Sequence, residues 1–172
     1  MTDISISPEG WPDLAGRMEG REHVLPVRVY YEDTDFSGFV YHASYIRFCE
    51  RGRSDFLRHL GVHHHELHWA ASGGRTGFVV RRMVCDFLKP ATIDDVLEVR
   101  TRFLELRGAR FELHQRVERA GTVLFTAAVT AALVNARGRP VRLPADMRRG
   151  LETVLWREEE NGDSTSADGP RR

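Results

Sequence analysis

The sequence predicts an α+β fold in which a curved antiparallel β-sheet wraps around one long central helix. Three observations carry that expectation. Apolar residues recur at helical spacing between about residues 43 and 60, strand-like runs fill the chain from residue 76 to 136, and the joins between those runs are short. Joins of that length force antiparallel neighbours, because a parallel crossover needs about a dozen residues or more. One amphipathic helix covers the face of such a sheet only if the sheet curls around it. The edges left open by that curl are protected most simply by a second copy, so assembly as at least a homodimer is expected.

Residues 1–23 mix Pro, Gly and charge without period and read as a mobile N-terminal extension. Residues 24–156 read as one domain, and 157–172, with almost no apolar side chain, as a disordered C-terminal tail. The first strand is HVLPVRVYY, residues 23–31, in which Val27, Val29 and Tyr31 alternate with Arg28 and Tyr30. Turn residues in EDTDFSG end it. In the following helix Ile46, Cys49, Phe56, Leu57 and Leu60 share a face, and Gly61 is a natural stop. Gly52 inside it costs about 1 kcal/mol relative to alanine, which implies either close packing or tolerance. The later strands are TGFVVRRMVCDFL, DVLEVRTRFLEL, ARFELHQRVER and TVLFTAAVTAALVNA, with Ala120-Gly121 as a tight hairpin join. RLPADMRRGLETVLW closes the domain as a helix.

A length of 172 residues suits one domain with a real core. Basic and acidic residues balance at 25 each, which removes the broad positive field that nucleic acid or an anionic membrane surface would select. Lys89 is the single lysine among the basic residues, and the many arginines offer bidentate groups for an anionic small ligand. Cys49 and Cys85 lie in apolar patterns without metal-ligand spacing and read as reduced thiols. With no secretion signal and no apolar run near the ~20 residues that span a bilayer, the expectation is a cytoplasmic protein without an integral membrane segment. His63, His64, His65 and His68 lack the HExxH order, so no metal or other cofactor is expected.

The stretch EDTDFSGFVYHASY, residues 32–45, carries Glu32, Asp33, Asp35 and His42 across the join between strand and helix. Amides at a helix N-terminus lack intrahelical partners and attract anions or developing oxyanions. If Ser44 caps the helix, one amide is satisfied; if the helix starts at Tyr41 or His42, donors stay free. Gly38 permits close backbone approach or positive φ. A carboxylate beside such donors can attack a thioester or activate water, because a thiol leaves with little acid assistance. Composition and spacing leave Glu32, Asp33 and Asp35 as rivals for that carboxylate.

The run RVYYEDTDFSGFVYHASYIRFCERGRSDFL resembles the signature of hotdog-fold acyl-CoA thioesterases, in the Tol-Pal-associated branch of the 4-hydroxybenzoyl-CoA thioesterase-like family. The resemblance continues through FVVRRMVCDFLKPATIDDVLEVRT, LRGARFELHQRV and RLPADM, over roughly residues 24–148. It implies dimers or tetramers with active sites at subunit interfaces. It gives Asp35 the role of general base or nucleophile, and the backbone amide of His42 the role of polarising the thioester carbonyl. Asp33 matches an acidic position of structural role, and Phe39 replaces the usual Ile or Val. Arg107 and Arg110 flank a turn matching the basic segment that some relatives use against the phosphates of CoA. Gly38 is counted as a substrate contact for its backbone freedom, and Tyr45 and Glu50 match recurrent positions as pocket or packing residues without a firm role. The alternative is a scaffold engaging acyl carrier protein or lipid-synthesis enzymes, with weak activity of its own. A hotdog hydratase, by resemblance, places histidine five residues after aspartate; seven separate Asp35 from His42.

Overall fold

The computed structural model describes residues 16–62 and 75–157. The histidine-rich loop and most of both terminal extensions lie outside the described residues. Strands β1 (Arg17–Glu19) and β2 (Glu22–Arg28) precede a 3-10 turn (Tyr31–Asp33) and helix α1 (His42–His59). Strands β3 (Thr76–Phe87), β4 (Val96–Arg107), β5 (Arg110–Arg119) and β6 (Thr122–Asn135) follow, then helix α2 (Ala145–Thr153). All pair antiparallel in one sheet of order β1-β2-β4-β5-β6-β3. β1 extends the sheet into the segment that the sequence assigned to the N-terminal extension.

Alternation along the strands fills the concave face. Leu97, Val99 and Phe103 of β4, Phe111, Leu113 and Val117 of β5, and Ala127, Val129, Ala131 and Leu133 of β6 are buried together with Phe48, Cys49, Phe56 and Leu57 of α1. Burial pushes the Cys49 thiol up to about 12, so it serves as an apolar core group. The buried stripe of the helix runs through Tyr45, Phe48, Cys49, Gly52 and Phe56, whereas Ile46, expected inside, is 36% exposed. Tyr31 is likewise corrected. β2 ends at Arg28, and the chain curls into the 3-10 turn, which leaves Tyr31 83% exposed.

Gly52 marks where helix and sheet come closest, since a Cβ there would lie 2.8 Å from Val99 Cγ1. Beneath it the buried Gln115 amide donates to the Cys49 carbonyl and to Thr101 Oγ1, both at 2.9 Å, while its oxygen accepts from Arg53 at 2.7 Å. Close packing, not tolerance, therefore explains this glycine. Gly52→Ala should lower unfolding free energy by ~1–3 kcal/mol from overpacking, although alanine is the better helix former. A denaturant melt showing stabilisation would refute that account.

The Ala120-Gly121 join takes φ of 48° and 76°, the pair of left-handed residues that a two-residue hairpin needs. On the convex face Glu22 receives Arg102 Nε at 2.6 Å, Arg100 Nη1 at 3.0 Å and Arg116 Nη1 at 2.5 Å. Arg102 also lies over the Trp156 ring, 3.7 Å from its centroid. The far margin of the sheet differs in character. β3 is an edge strand of 12 residues bearing exposed Val79, Val80, Val84 and Phe87.

Candidate active site

The strand-to-helix connection is built in two layers. Asp33 forms the inner one: it is 2% exposed, its Oδ2 accepts the Tyr30 amide at 2.9 Å, and its carbonyl accepts the Tyr41 amide at 2.8 Å. Its carboxylate is thereby spent on closing the loop. Asp35 forms the outer layer in a tight turn, where its amide donates to the Phe39 carbonyl and its own carbonyl accepts the Gly38 amide. Gly38 sits at φ 79° with open space where a Cβ would be, so the turn requires its backbone conformation.

The Asp35 side chain faces solvent, and its Oδ1 accepts both the amide (2.8 Å) and the hydroxyl (2.5 Å) of Ser37. Those bonds, with a smaller contribution from nearby His42, hold the carboxyl below its ordinary range, so it is ionised at neutral pH. After the turn, Val40 donates to the Ala91 carbonyl and Phe39 bridges Thr92, which pins the segment beside the start of β4.

The chain then enters α1 at His42. Tyr41 occupies the cap position without a side-chain hydrogen bond, and Ser44 is 1% exposed, its amide already given to the Tyr41 carbonyl. The capping alternative at Ser44 is thus excluded. The amides of His42 and Ala43 precede any intrahelical acceptor, leaving donors at the mouth of the helix. The His42 ring lies 4.2 Å from the Tyr41 ring and 6.2 Å from Phe87 at the end of β3, centroid to centroid.

Other expected contacts fall elsewhere. Tyr45 is a core residue: it stacks on Phe125, and its hydroxyl is bound by the Ala91 amide at 3.0 Å. Its ring face and hydroxyl are thus both occupied within the core, in line with the packing side of the pocket-or-packing expectation. Glu50 pairs with Arg53 and Ser54 on the helix surface. Arg107 and Arg110 face each other at the far end of the β4–β5 hairpin, with Arg107 paired to Glu105. The 12 residues of β4 separate that end from the turn of Asp35, a span of about 35–40 Å at strand rise. One chain therefore does not bring these arginines to its own carboxylate.

An apolar cavity of about 180 Å³ lies between α1 and the sheet, lined by Leu57, Phe78, Val79, Phe103, Phe111 and Leu113. A larger groove of about 600 Å³ runs along β2 and the opposite flank of α1, past Arg28, Arg51 and Arg58. Neither is lined by Asp35 or His42, which stand on open surface. Among the described residues, His23, Asp55 and His59 approach one another closely enough to suggest a metal. The Gly16 amide already donates to Asp55 Oδ2 at 2.7 Å and its carbonyl meets His59 at 2.8 Å, so backbone occupies the space between them. The trio fastens the start of β1 to α1.

Residues 29–151 match the Thioesterase-like superfamily, and the chain belongs to that family as a thioester hydrolase of the hotdog fold. Among particular relatives, the acyl-CoA thioester hydrolase YbgC of Escherichia coli O6:H1 is 44% identical over 121 residues, covering 69% of this chain and 87% of that protein. The acyl-CoA thioesterase YbgC of Haemophilus influenzae is 39% identical over 125 residues, 72% of this chain and 90% of that protein. A solved probable thioesterase from Bartonella henselae superposes with a TM-score of 0.70 at 47% identity, covering 72% of this chain and 99% of that one. No helix among the described residues is long and apolar enough to cross a membrane.

Proposed function

We propose that the protein hydrolyses acyl-CoA to the free carboxylic acid and CoA. The observation that carries this reading is the exposed, ionised carboxylate of Asp35, presented in a hydrogen-bonded turn beside the uncapped N-terminus of α1. The His42 amide receives the thioester carbonyl oxygen and stabilises the charge that grows on it, a contribution typically worth roughly 100- to 1,000-fold. Asp35 then attacks the carbonyl carbon or takes a proton from an attacking water. Both routes expel the CoA thiolate, the nucleophilic one before water cleaves the resulting anhydride. Oxygen-labelled water in a single turnover separates them, because only attack by the carboxylate can leave label in Asp35.

The arginines enter from a second copy. β3 is the long apolar edge, and a two-fold pairing of β3 with itself sets the Phe87 end of one strand beside the Thr76 end of the other. Arg110 shares a row with Ala132 and Val79, near that Thr76 end and only two strands in, about 10 Å. In such a homodimer Arg107 and Arg110 of one copy approach the helix mouth of the other, where they can meet CoA phosphates. Mixing two inactive or weakened proteins tests this arrangement. Asp35→Asn chains combined with Arg107→Ala/Arg110→Ala chains should regain activity, because the mixed dimer holds one intact site; no regain would place the arginines outside the site.

Release of free thiol from a panel of straight-chain and aromatic acyl-CoAs tests the reaction itself. Turnover of at least one member is expected. No turnover of any member would overturn the reading in favour of a scaffold that binds acyl carrier protein or lipid-synthesis enzymes. The two cysteines are free thiols, which suits a cytoplasmic setting.

A further inference from the structure

We infer that Ser37 is a positioning residue for hydrolysis: by holding Asp35 Oδ1 with both hydroxyl and amide, it presents Oδ2 as the reacting oxygen. The inference rests on the reading of Asp35 given above. Ser37 is joined to Asp35 at two points, the amide at 2.8 Å and Oγ at 2.5 Å, and both bonds end on the same oxygen. Two donors on one oxygen fix the rotation of the carboxylate and draw electron density to the bound side. The Phe39 amide approaches Ser37 Oγ at 3.4 Å, which orients the hydroxyl lone pair away from the carboxylate and its proton towards it.

The remaining oxygen carries no bond to the protein among the described residues. In the nucleophilic route the Oδ2–carbon bond forms as the carbon–sulfur bond breaks, the electron pair leaves on the thiolate, and water then cleaves the anhydride. In the general-base route Oδ2 takes the water proton while hydroxide adds to the carbon, and collapse of the tetrahedral intermediate breaks the carbon–sulfur bond with its electron pair leaving on the thiolate. Both routes need one free oxygen aimed away from the turn and one held still. Ser37 supplies that asymmetry.

Ser37 also sets the acid limit of the reaction. Its two donors stabilise the charged form, and the other group acting on the carboxylate is His42 of α1. A carboxylate stabilised in this way stays reactive to lower pH but is a weaker base once ionised. Removing the hydroxyl leaves Oδ1 held by the amide alone, so it should shift the acid limb of the kcat/KM profile to higher pH and lower the plateau severalfold.

The test compares Ser37→Ala, Ser37→Thr and Asp35→Asn by pH profiles, together with carbon NMR titration of the Asp35 carboxyl group. Ser37 is exposed and its side-chain bonds stay within the turn, so Ser37→Ala should fold normally. Expected are a higher titration midpoint for Asp35, severalfold lower activity on the acid limb, and restoration of both by threonine. If Asp35→Asn is inactive yet neither limb nor midpoint moves in Ser37→Ala, Ser37 only shapes the turn and the inference falls while Asp35 stands. If the midpoint moves and the limb does not, another group sets the limb and the inference is again wrong. Full turnover by Asp35→Asn would remove the carboxylate's role and the inference with it.

Discussion

Asp35→Asn should lower kcat/KM for acyl-CoA hydrolysis by roughly 100- to 10,000-fold, the range that a general acid–base group contributes, while the melting temperature stays unchanged. The side chain is exposed and bonded only within its own turn, so the fold has little to lose. Asp33, two residues away, should behave in the opposite way. Its buried carboxylate holds the Tyr30 amide, and Asp33→Ala would strand that donor at a cost of about 1–3 kcal/mol. Activity should then fall in proportion to loss of the folded loop. Thiol-release kinetics and thermal melts on both variants separate the roles; near-normal turnover by Asp35→Asn would remove it from the chemistry.

Glu22→Gln should cost about 3 kcal/mol of stability, the scale of breaking a buried ion pair. Glu22 is 5% exposed and lies among Arg100, Arg102 and Arg116, so a neutral amide would leave three guanidinium groups crowded without their shared anion. Burial pushes the Glu22 carboxyl up, but hydrogen bonds from Arg116, Arg102 and Arg100 outweigh it, and the net direction is down. A carboxyl lowered by folding contributes its full stability above its unfolded pKa, and loses it as pH falls through the folded value. Wild type should therefore lose stability in acid below the ordinary glutamate range, and Glu22→Gln should show a smaller loss there. Equal acid sensitivity in both proteins would mean that other carboxylates govern the transition.

Most of the architecture was legible because two periods dominate the chain. Spacing near 3.6 marked α1, and alternation marked the long strands, since each buries one face. The misreadings occur where that logic weakens. β1 is three residues of Arg, Met and Glu, too short to show alternation and visible only through its pairing with β2. Tyr31 continues the alternating pattern, yet the Asp33 side chain closes a 3-10 turn there. Ile46 borders the buried stripe because Tyr45 and Phe48 take the inward positions.

The site was legible as a kind of place before its parts could be assigned. Turn residues ahead of a helix pointed to free amides and a carboxylate, but Asp33 and Asp35 share composition and nearly share position. Burial separates them, and burial depends on contacts with Tyr30 and Tyr41. The Ser37 bond had a faint signal in the two-residue spacing from Asp35, typical of side chains that close turns. Tyr45 stayed open between pocket and packing for a different reason: an aromatic ring with a hydroxyl suits either, and only the structure shows its hydroxyl bound by the Ala91 amide.

The two margins of the sheet are unequal, with three residues in β1 against twelve in β3. In the homodimer proposed above, self-pairing along β3 would use up the long margin of both copies at once and leave the short β1 margin outward. Growth of the sheet by addition of further chains would then terminate at two, and an apolar strand at the border would be kept from templating a fibre.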